Sequence, residues 1–169
     1  KSILKKGGNS TNVGDEGGFA PNFNSCAEAL DTIVAAIRSA GYEPGTQVSI
    51  GLDVASSEFY SDGVYKLESK KLSSDQMIEF YEKLISDYPI ISIEDPFDQN
   101  DWEGFTKFTK LVGDKIQIVG DDLFVTNKKY LQEGIDKRAS NAILIKLNQV
   151  GTVSETLDTI KMSKENNYK

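Results

Sequence analysis

The segment IISIE at residues 90–94 is a short apolar stretch that ends on a charged residue, and three other segments share this design. They are VSIGLD at 48–53, IQIVGD at 116–121 and AILIK at 142–146. Apolar runs of this length, bounded by turn signals, are typical of buried strands. Helical patterns lie between the segments, so we predict strands joined by crossover helices, the arrangement of a parallel sheet with right-handed connections.

The helices are predicted from apolar spacing and from their end signals. Five helices are expected. The first carries Leu30, Ile33, Val34 and Ile37 and stops at Gly41; the second has the apolar face Met77, Tyr81, Leu84, Ile85 and Tyr88, with a cap at Ser73 or Ser74 and a stop at Pro89. The others are a helix from about 102 to 112, a short one near 128–133, and a last helix carrying Val153, Leu157 and Ile160. The segment 59–67, with SDG at 61–63, predicts a β-hairpin.

Four strands are too few to close an eight-stranded barrel, which takes about 250 residues. The chain begins at Lys1 without a start methionine, and its last helix stops at Lys169 with no strand after it. We therefore expect an α/β fold and interpret the chain as a fragment, truncated at both ends. Residues 1–169 are expected to be a fragment of a single domain.

Composition narrows the function classes. The net charge is −7, which disfavours a nucleic-acid partner because phosphate binding needs clustered Lys and Arg. No apolar run approaches the ~20 residues of a membrane span, and no signal-peptide pattern opens the chain. The chain has no histidine, which excludes imidazole metal ligands and Ser-His or Cys-His catalysis from its own residues.

The single Cys26 is interpreted as a small core residue, and a cytoplasmic location is expected.

The charged residues at the four strand ends share one direction. Side chains alternate along a strand, so Asp53, Glu94, Asp121 and Lys146 are predicted to converge inside a barrel mouth. The opposite face is uniformly apolar and suits a layer of covering helices; it holds Val48, Ile50, Leu52, Ile91, Ile93, Ile116, Ile118, Ile143 and Ile145. Carboxyl ends of parallel strands are where α/β folds place their ligands.

Three converging carboxylates repel one another, and a hard divalent cation resolves that conflict. An all-oxygen set favours Mg²⁺, or Mn²⁺, over zinc, so Asp53, Glu94 and Asp121 are the predicted metal ligands. The cation lowers the pKa of Lys146 toward that of a base. A purely structural salt-bridge cluster is the alternative. Asp95 and Asp122 have the other parity and are interpreted as cap or loop residues.

The opening NVGDEGGFAPN at 12–22 reads as a glycine-rich turn, and it lacks the spacing of a Walker A loop. Together with four later motifs, however, it closely resembles enolase. Those motifs are GLDVASSEF at 51–59, SIEDPF at 92–97, GDDLFVTN at 120–127 and ILIKLNQVG at 143–151. They stand in enolase order and cover essentially the whole chain. The resemblance therefore implies a partial TIM-type (β/α)8 barrel of the enolase superfamily.

The resemblance implies a glycolytic hydro-lyase that interconverts 2-phosphoglycerate and phosphoenolpyruvate through a Mg²⁺-stabilised enolate. It implies that Glu16 is the proton donor and Lys146 the proton acceptor, both touching substrate, and that Asp53, Glu94 and Asp121 bind Mg²⁺. A lysine base acting with Mg²⁺ is an established pattern of the enolase superfamily. The resemblance also implies a homodimer or higher oligomer.

Other interpretations remain open at this stage. A muconate- or mandelate-type member of the superfamily acts on a different carboxylate, and a lens-type relative is catalytically silent. Enolases are also found at cell surfaces, where they bind plasminogen through lysines, and 70–71 and 128–129 are lysine pairs. The enolase capping domain, its serine loop, its histidines and its later Ser-His-Arg-Ser-Gly-Glu motif have no counterpart in these residues.

We predict that the isolated 169-residue chain does not turn over 2-phosphoglycerate, because a split site supplies only part of the acid, base and substrate contacts. The growth of phosphoenolpyruvate absorbance measures this directly. The complete protein is the positive control, and clear turnover by the isolated chain contradicts the prediction.

Overall fold

Two units, Lys1–Ser49 and Ile50–Lys169, make up the computed structural model, which describes all residues 1–169. The first unit holds helices α1 (Ser2–Lys6) and α2 (Cys26–Ser39). Ser25 begins α2 by accepting a hydrogen bond from the Glu28 amide, as a polar N-cap does. The predicted helix and its stop are confirmed, since Gly41 follows α2 in the left-handed region at φ +87°.

The second unit is built on a four-stranded parallel sheet whose strands are, in spatial order, Ile50–Asp53, Ile90–Glu94, Gln117–Gly120 and Ala142–Ile143. Its elements are β1 (Ile50–Asp53), a 3-10 turn (Ser56–Phe59), β2 (Tyr60–Ser61), β3 (Val64–Leu67), β4 (Lys70–Leu72), α3 (Ser74–Asp87), β5 (Ile90–Glu94), α4 (Trp102–Val112), β6 (Gln117–Gly120), α5 (Lys128–Lys137), β7 (Ala142–Ile143), α6 (Leu147–Val150) and α7 (Val153–Glu165). A parallel sheet with intervening helices was predicted and is confirmed.

Three of the four strands are shorter than predicted. The first begins at Ile50 rather than Val48, because Val48 instead forms a bridge with Pro44 in the first unit. The third spans Gln117–Gly120, and the fourth ends at Ile143. Lys146 is therefore not a strand residue: it is the N-cap of α6, although its backbone is still extended at φ −127° and ψ 115°.

The predicted hairpin at 59–67 is confirmed and is one part of a larger element. Strands β2 and β3 pair antiparallel around the turn at Asp62 and Gly63, and β4 adds a third strand that the sequence did not predict. The turn uses the left-handed conformation at both residues, with φ 55° and 80°. Asp-Gly is the residue pair that such a hairpin turn favours.

The two faces of the parallel sheet differ as predicted in most positions. Ile50, Ile93 and Ile118 are buried on the face expected to meet the helices. Ile91 was assigned to the same buried set, and that assignment is wrong because Ile91 is 57% exposed. It lies beside the first residue of β5, at the amino end of the sheet, next to an open cleft lined by Gly113, Ile116 and Asn141.

The predicted last helix is confirmed as α7, but two of the apolar residues on which it was predicted are not buried. Val153 and Leu157 are exposed, whereas the buried side of α7 carries Thr156, Thr159 and Ser163. The reason is that these hydroxyls find acceptors: Thr159 Oγ1 lies 3.0 Å from the Thr126 carbonyl oxygen. A buried hydroxyl that is hydrogen-bonded carries little of the usual desolvation penalty.

Aromatic side chains form the core beneath the loop that follows β5. Tyr65, Tyr81, Phe97, Phe105 and Phe108 are buried and meet with ring centroids 5.4–6.2 Å apart, mostly edge to face. Such pairs add to the stabilisation that apolar burial gives. The Tyr81 hydroxyl donates to the Pro96 carbonyl at 2.8 Å, so the core also fixes the backbone just beyond Glu94.

The Tyr65 hydroxyl ties the three-stranded sheet to α4. It donates to Asp101 Oδ2 at 2.7 Å and accepts from the Asp98 amide at 2.9 Å. Asp101 caps α4 through the Gly104 amide at 2.9 Å. Burial and the bond to Asp101 raise the pKa of Tyr65, so the phenol stays protonated and keeps donating.

We predict that Tyr65→Phe lowers the free energy of unfolding by about 1–3 kcal/mol, since the buried Asp98 amide loses its acceptor. Urea unfolding measures the change. Tyr60→Phe is the matched control, because Tyr60 is half-buried on the neighbouring strand and its change is expected to stay within about 0.5 kcal/mol. Equal effects of the two substitutions contradict the prediction.

Candidate metal and base site

The carboxyl ends of three parallel strands bring three of the predicted acids to one edge. Asp53 and Glu94 are the last residues of β1 and β5, and they are direct partners in the sheet register. Asp121 comes directly after β6 and is 7% exposed. The convergence expected from strand alternation therefore holds for Asp53, Glu94 and Asp121.

Lys146 reaches the same edge from the loop after β7. The Leu144 amide donates to the Gly120 carbonyl oxygen at 3.1 Å, which continues the parallel pairing beyond the last assigned strand residue. The Lys146 ammonium then lies 2.5 Å from Asp121 Oδ2. The fourth predicted residue is thus in contact with the cluster.

The acids at this edge raise one another's pKa values. Burial raises the pKa of Glu94 to about 7, and the charges of Asp53 and Asp121 add to the effect. The pKa of Asp122 is raised by burial and then by the charge of Asp121. The pKa of Lys146 is also raised, first by its hydrogen bond to Asp121 and then by the negative charges of the neighbouring acids.

Asp95 belongs to this cluster, although strand alternation led us to interpret it as a cap or loop residue. Its carboxylate oxygens accept hydrogen bonds from the Asp121 amide at 3.0 Å and the Asp122 amide at 2.8 Å. Burial raises its pKa to about 6, and those two bonds oppose the rise. Asp95 lies past the end of β5 with φ 42°, so an argument from strand alternation could not place it. It links the ends of neighbouring strands.

Two polar residues at this edge were not singled out from the sequence. Gln149 Nε2 donates to Asp121 Oδ1 at 2.7 Å, and the buried Thr126 hydroxyl donates to Gln149 Oε1 at 2.8 Å. Both lie inside the motifs that resemble enolase, GDDLFVTN and ILIKLNQVG, but the motifs alone give neither residue a role. Only their packing shows which partner each one holds.

Glu16 lies in the first unit, within a small closed loop. Val13 and Phe19 form an antiparallel bridge, the Gly14 amide donates to the Gly18 carbonyl oxygen at 2.9 Å, and Gly17 takes φ +83°. The glycine-rich segment is therefore a tight hairpin with Glu16 exposed at its tip. Its place opposite Lys146 across a substrate stays a prediction.

The donor set fits a hard divalent cation. One carboxylate oxygen from each of Asp95, Asp121 and Asp122 lies within 4.8 Å of the other two. Asp53 and Glu94 are close enough for their charges to interact with this cluster. Burial and then the charges of neighbouring acids raise the pKa values of Glu94 and Asp122, and a bound cation would offset both effects. That Asp53, Glu94 and Asp121 are the ligands stays a prediction. Asp95, whose two oxygens accept backbone amides, is a further member of the cluster.

The sequence model of the family described as enolase, C-terminal TIM barrel domain, matches the chain over residues 1–169. The chain belongs to this family. Its open parallel sheet is accordingly part of an enolase-type TIM barrel, as the resemblance implied. Membership indicates the lyase-type chemistry of the enolase superfamily without choosing a substrate. No helix of the chain combines the length and the apolar character needed to cross a membrane.

We predict that the metal-free protein loses stability as pH rises through the window between the ordinary pKa of Glu94 and about 7. A folded-state pKa above the unfolded value means that ionisation favours unfolding, so the stabilisation present at low pH disappears as the carboxyl ionises. Glu94→Gln cannot ionise and removes this component. Urea unfolding with a chelator, at about pH 5 and about pH 8, measures the difference between variant and wild type.

The expected result is that Glu94→Gln gains stability relative to wild type at the higher pH. Glu79→Gln on the exposed side of α3 is the control, with the same difference at both pH values. Parallel stability curves for wild type and Glu94→Gln contradict the prediction.

Proposed function

We propose that the protein is a hydro-lyase that reversibly dehydrates 2-phospho-D-glycerate to phosphoenolpyruvate. The observation that carries the proposal is the contact between the Lys146 ammonium and the carboxylate cluster at the strand ends, at 2.5 Å from Asp121. A lysine held among metal-binding acids is the arrangement that abstraction of a weakly acidic proton beside a carboxylate requires. The motif series described above supports the choice of substrate.

Asp53, Glu94 and Asp121 would hold Mg²⁺. When bound, Mg²⁺ supplies concentrated positive charge that offsets the carboxylates and stabilises the doubly charged carboxylate of the enolate. Lys146, whose pKa is raised by its bond to Asp121, needs the opposite shift to work as a base. We expect that shift once the negative charge of the cluster is offset.

Lys146 Nζ is the proposed acceptor of the C2 proton, and Glu16 is the proposed donor to the departing 3-hydroxyl. With a base and an acid on two sides of the substrate, each residue carries out one of the two proton transfers. The hairpin that carries Glu16 is held by its own backbone bonds, and the carboxyl is exposed to solvent rather than buried, which supports the proposed role.

The other functions draw less support. A different superfamily substrate calls for other residues in the GDEGG and IKLNQ segments, both of which match enolase here. A plasminogen-binding role at the cell surface rests on the lysine pairs at 70–71 and 128–129, which are exposed in the way that most surface lysines are. A catalytically silent relative is disfavoured because the acid, base and ligand positions that these residues include are all intact.

We predict that Asp121→Ala in the complete protein weakens Mg²⁺ binding by at least about 10- to 100-fold, the loss seen when even a supporting partner of a metal ligand is removed. Titration calorimetry measures the affinity and does not depend on turnover. Asp158→Ala is the matched control, since Asp158 is exposed on α7, and its Mg²⁺ affinity is expected to equal that of wild type. An unchanged Mg²⁺ affinity in Asp121→Ala contradicts the assignment of Asp121 as a metal ligand.

A further inference from the structure

Four residues at the strand edge close a ring of hydrogen bonds. Lys146 Nζ contacts Asp121 Oδ2 at 2.5 Å, and Gln149 Nε2 donates to Asp121 Oδ1 at 2.7 Å. Gln149 Oε1 accepts from the Thr126 hydroxyl at 2.8 Å, and Thr126 Oγ1 accepts from the Lys146 backbone amide at 2.9 Å. The proposed metal ligand and the proposed base are therefore connected twice, once directly and once through Thr126 and Gln149.

The direction of each bond in the ring is fixed by its neighbours. Thr126 Oγ1 accepts from the Lys146 amide, so its single hydrogen is free to go to Gln149 Oε1. That bond sets the orientation of the Gln149 amide and turns its NH₂ group toward the Asp121 carboxylate. The reverse orientation would place the amide oxygen against a carboxylate oxygen, which is repulsive.

Thr126 occupies a backbone conformation that its side chain does not favour. Val125 and Thr126 are consecutive β-branched residues with φ 41° and 55°, and Thr126 is fully buried. Left-handed conformations of β-branched residues are genuine outliers, and such strain persists only where the surroundings enforce it. Here the Thr126 carbonyl accepts from Thr159 Oγ1 at 3.0 Å, and the Val125 amide donates to the Asp121 carbonyl oxygen at 2.7 Å.

We propose that Thr126 and Gln149 are positioning residues that hold Asp121 and Lys146 in place relative to each other; the inference rests on the proposed function. To accept a proton, Lys146 must give up its charged contact with Asp121 Oδ2. Gln149 keeps Asp121 Oδ1 fixed through that change, and Thr126 holds the Lys146 backbone while the side chain turns to substrate. Neither residue exchanges a proton with the substrate.

The test uses the complete protein with Thr126→Val, Thr126→Ser and Gln149→Leu. Valine keeps the shape and β-branching of threonine, so the backbone conformation is retained while the hydroxyl is lost. Serine keeps the hydroxyl and is the rescue variant. Gln149→Leu removes the amide from the short helix α6, and Gln132→Leu is its control, because Gln132 is exposed on α5 and donates to the Asp136 carboxylate at 2.8 Å outside the ring.

We predict that Thr126→Val and Gln149→Leu lower kcat for 2-phosphoglycerate by about 10- to 100-fold, the range for supporting partners of a catalytic metal site. KM changes far less, because the lost contacts place the base rather than the substrate. The primary isotope effect with 2-deuterated substrate rises, because proton abstraction becomes slower than the other steps. Thr126→Ser recovers most of kcat, and Gln132→Leu matches wild type.

Two results overturn the inference. In the first, kcat falls only in proportion to the loss of folded protein and the isotope effect is unchanged. In the second, Thr126→Ser is as impaired as Thr126→Val. Wild-type protein without 2-phosphoglycerate turnover refutes the proposed function instead. The positioning of Asp121 is then judged by Mg²⁺ calorimetry, where Gln149→Leu is expected to bind Mg²⁺ about 10- to 100-fold more weakly than Gln132→Leu. Equal affinities refute the positioning role.

Discussion

Crowding of negative charge at the carboxyl edge of the parallel sheet is the constraint on which the rest of the site depends. Asp53 and Glu94 end adjacent strands in direct register, and Asp121 follows the next strand. Burial and mutual repulsion leave Glu94 with a pKa of about 7, well above its ordinary value. An edge with this much like charge is stable only where hydrogen bonds and a positive charge are arranged around it.

The surrounding structure supplies that arrangement from several elements. Asp95 takes two backbone amides, and Asp121 takes the ammonium of Lys146 on one oxygen and the amide of Gln149 on the other. The aromatic core beneath the loop after β5 holds the backbone that carries Asp95. The strained backbone conformation of Thr126 is tolerated because its hydroxyl and its carbonyl oxygen are both hydrogen-bonded. The contact between Lys146 and Asp121 thus both stabilises an acid and orients the lysine.

The elements with strong local signals were predicted well. Strand β5 matches the segment 90–94 at both ends, helix α4 matches the expected 102–112, and Ser73 caps α3 in a capping box with Gln76. The errors lie where local pattern and packing disagree. The helix α7 has apolar residues at helical spacing, yet it buries Thr156 and Thr159 because their hydroxyls find acceptors in neighbouring backbone.

The sequence by itself determined the parallel sheet and the charged residues that end or follow its strands, because alternation and apolar runs are local properties of the chain. Tertiary structure alone decided that Lys146 stands beyond its strand rather than on it, that Asp95 joins two strand ends, and that Thr126 and Gln149 complete the ring. Those contacts join residues 20–28 positions apart along the chain, or lie at strained backbone positions. Periodicity carries no information about either, since both depend on how separate segments pack.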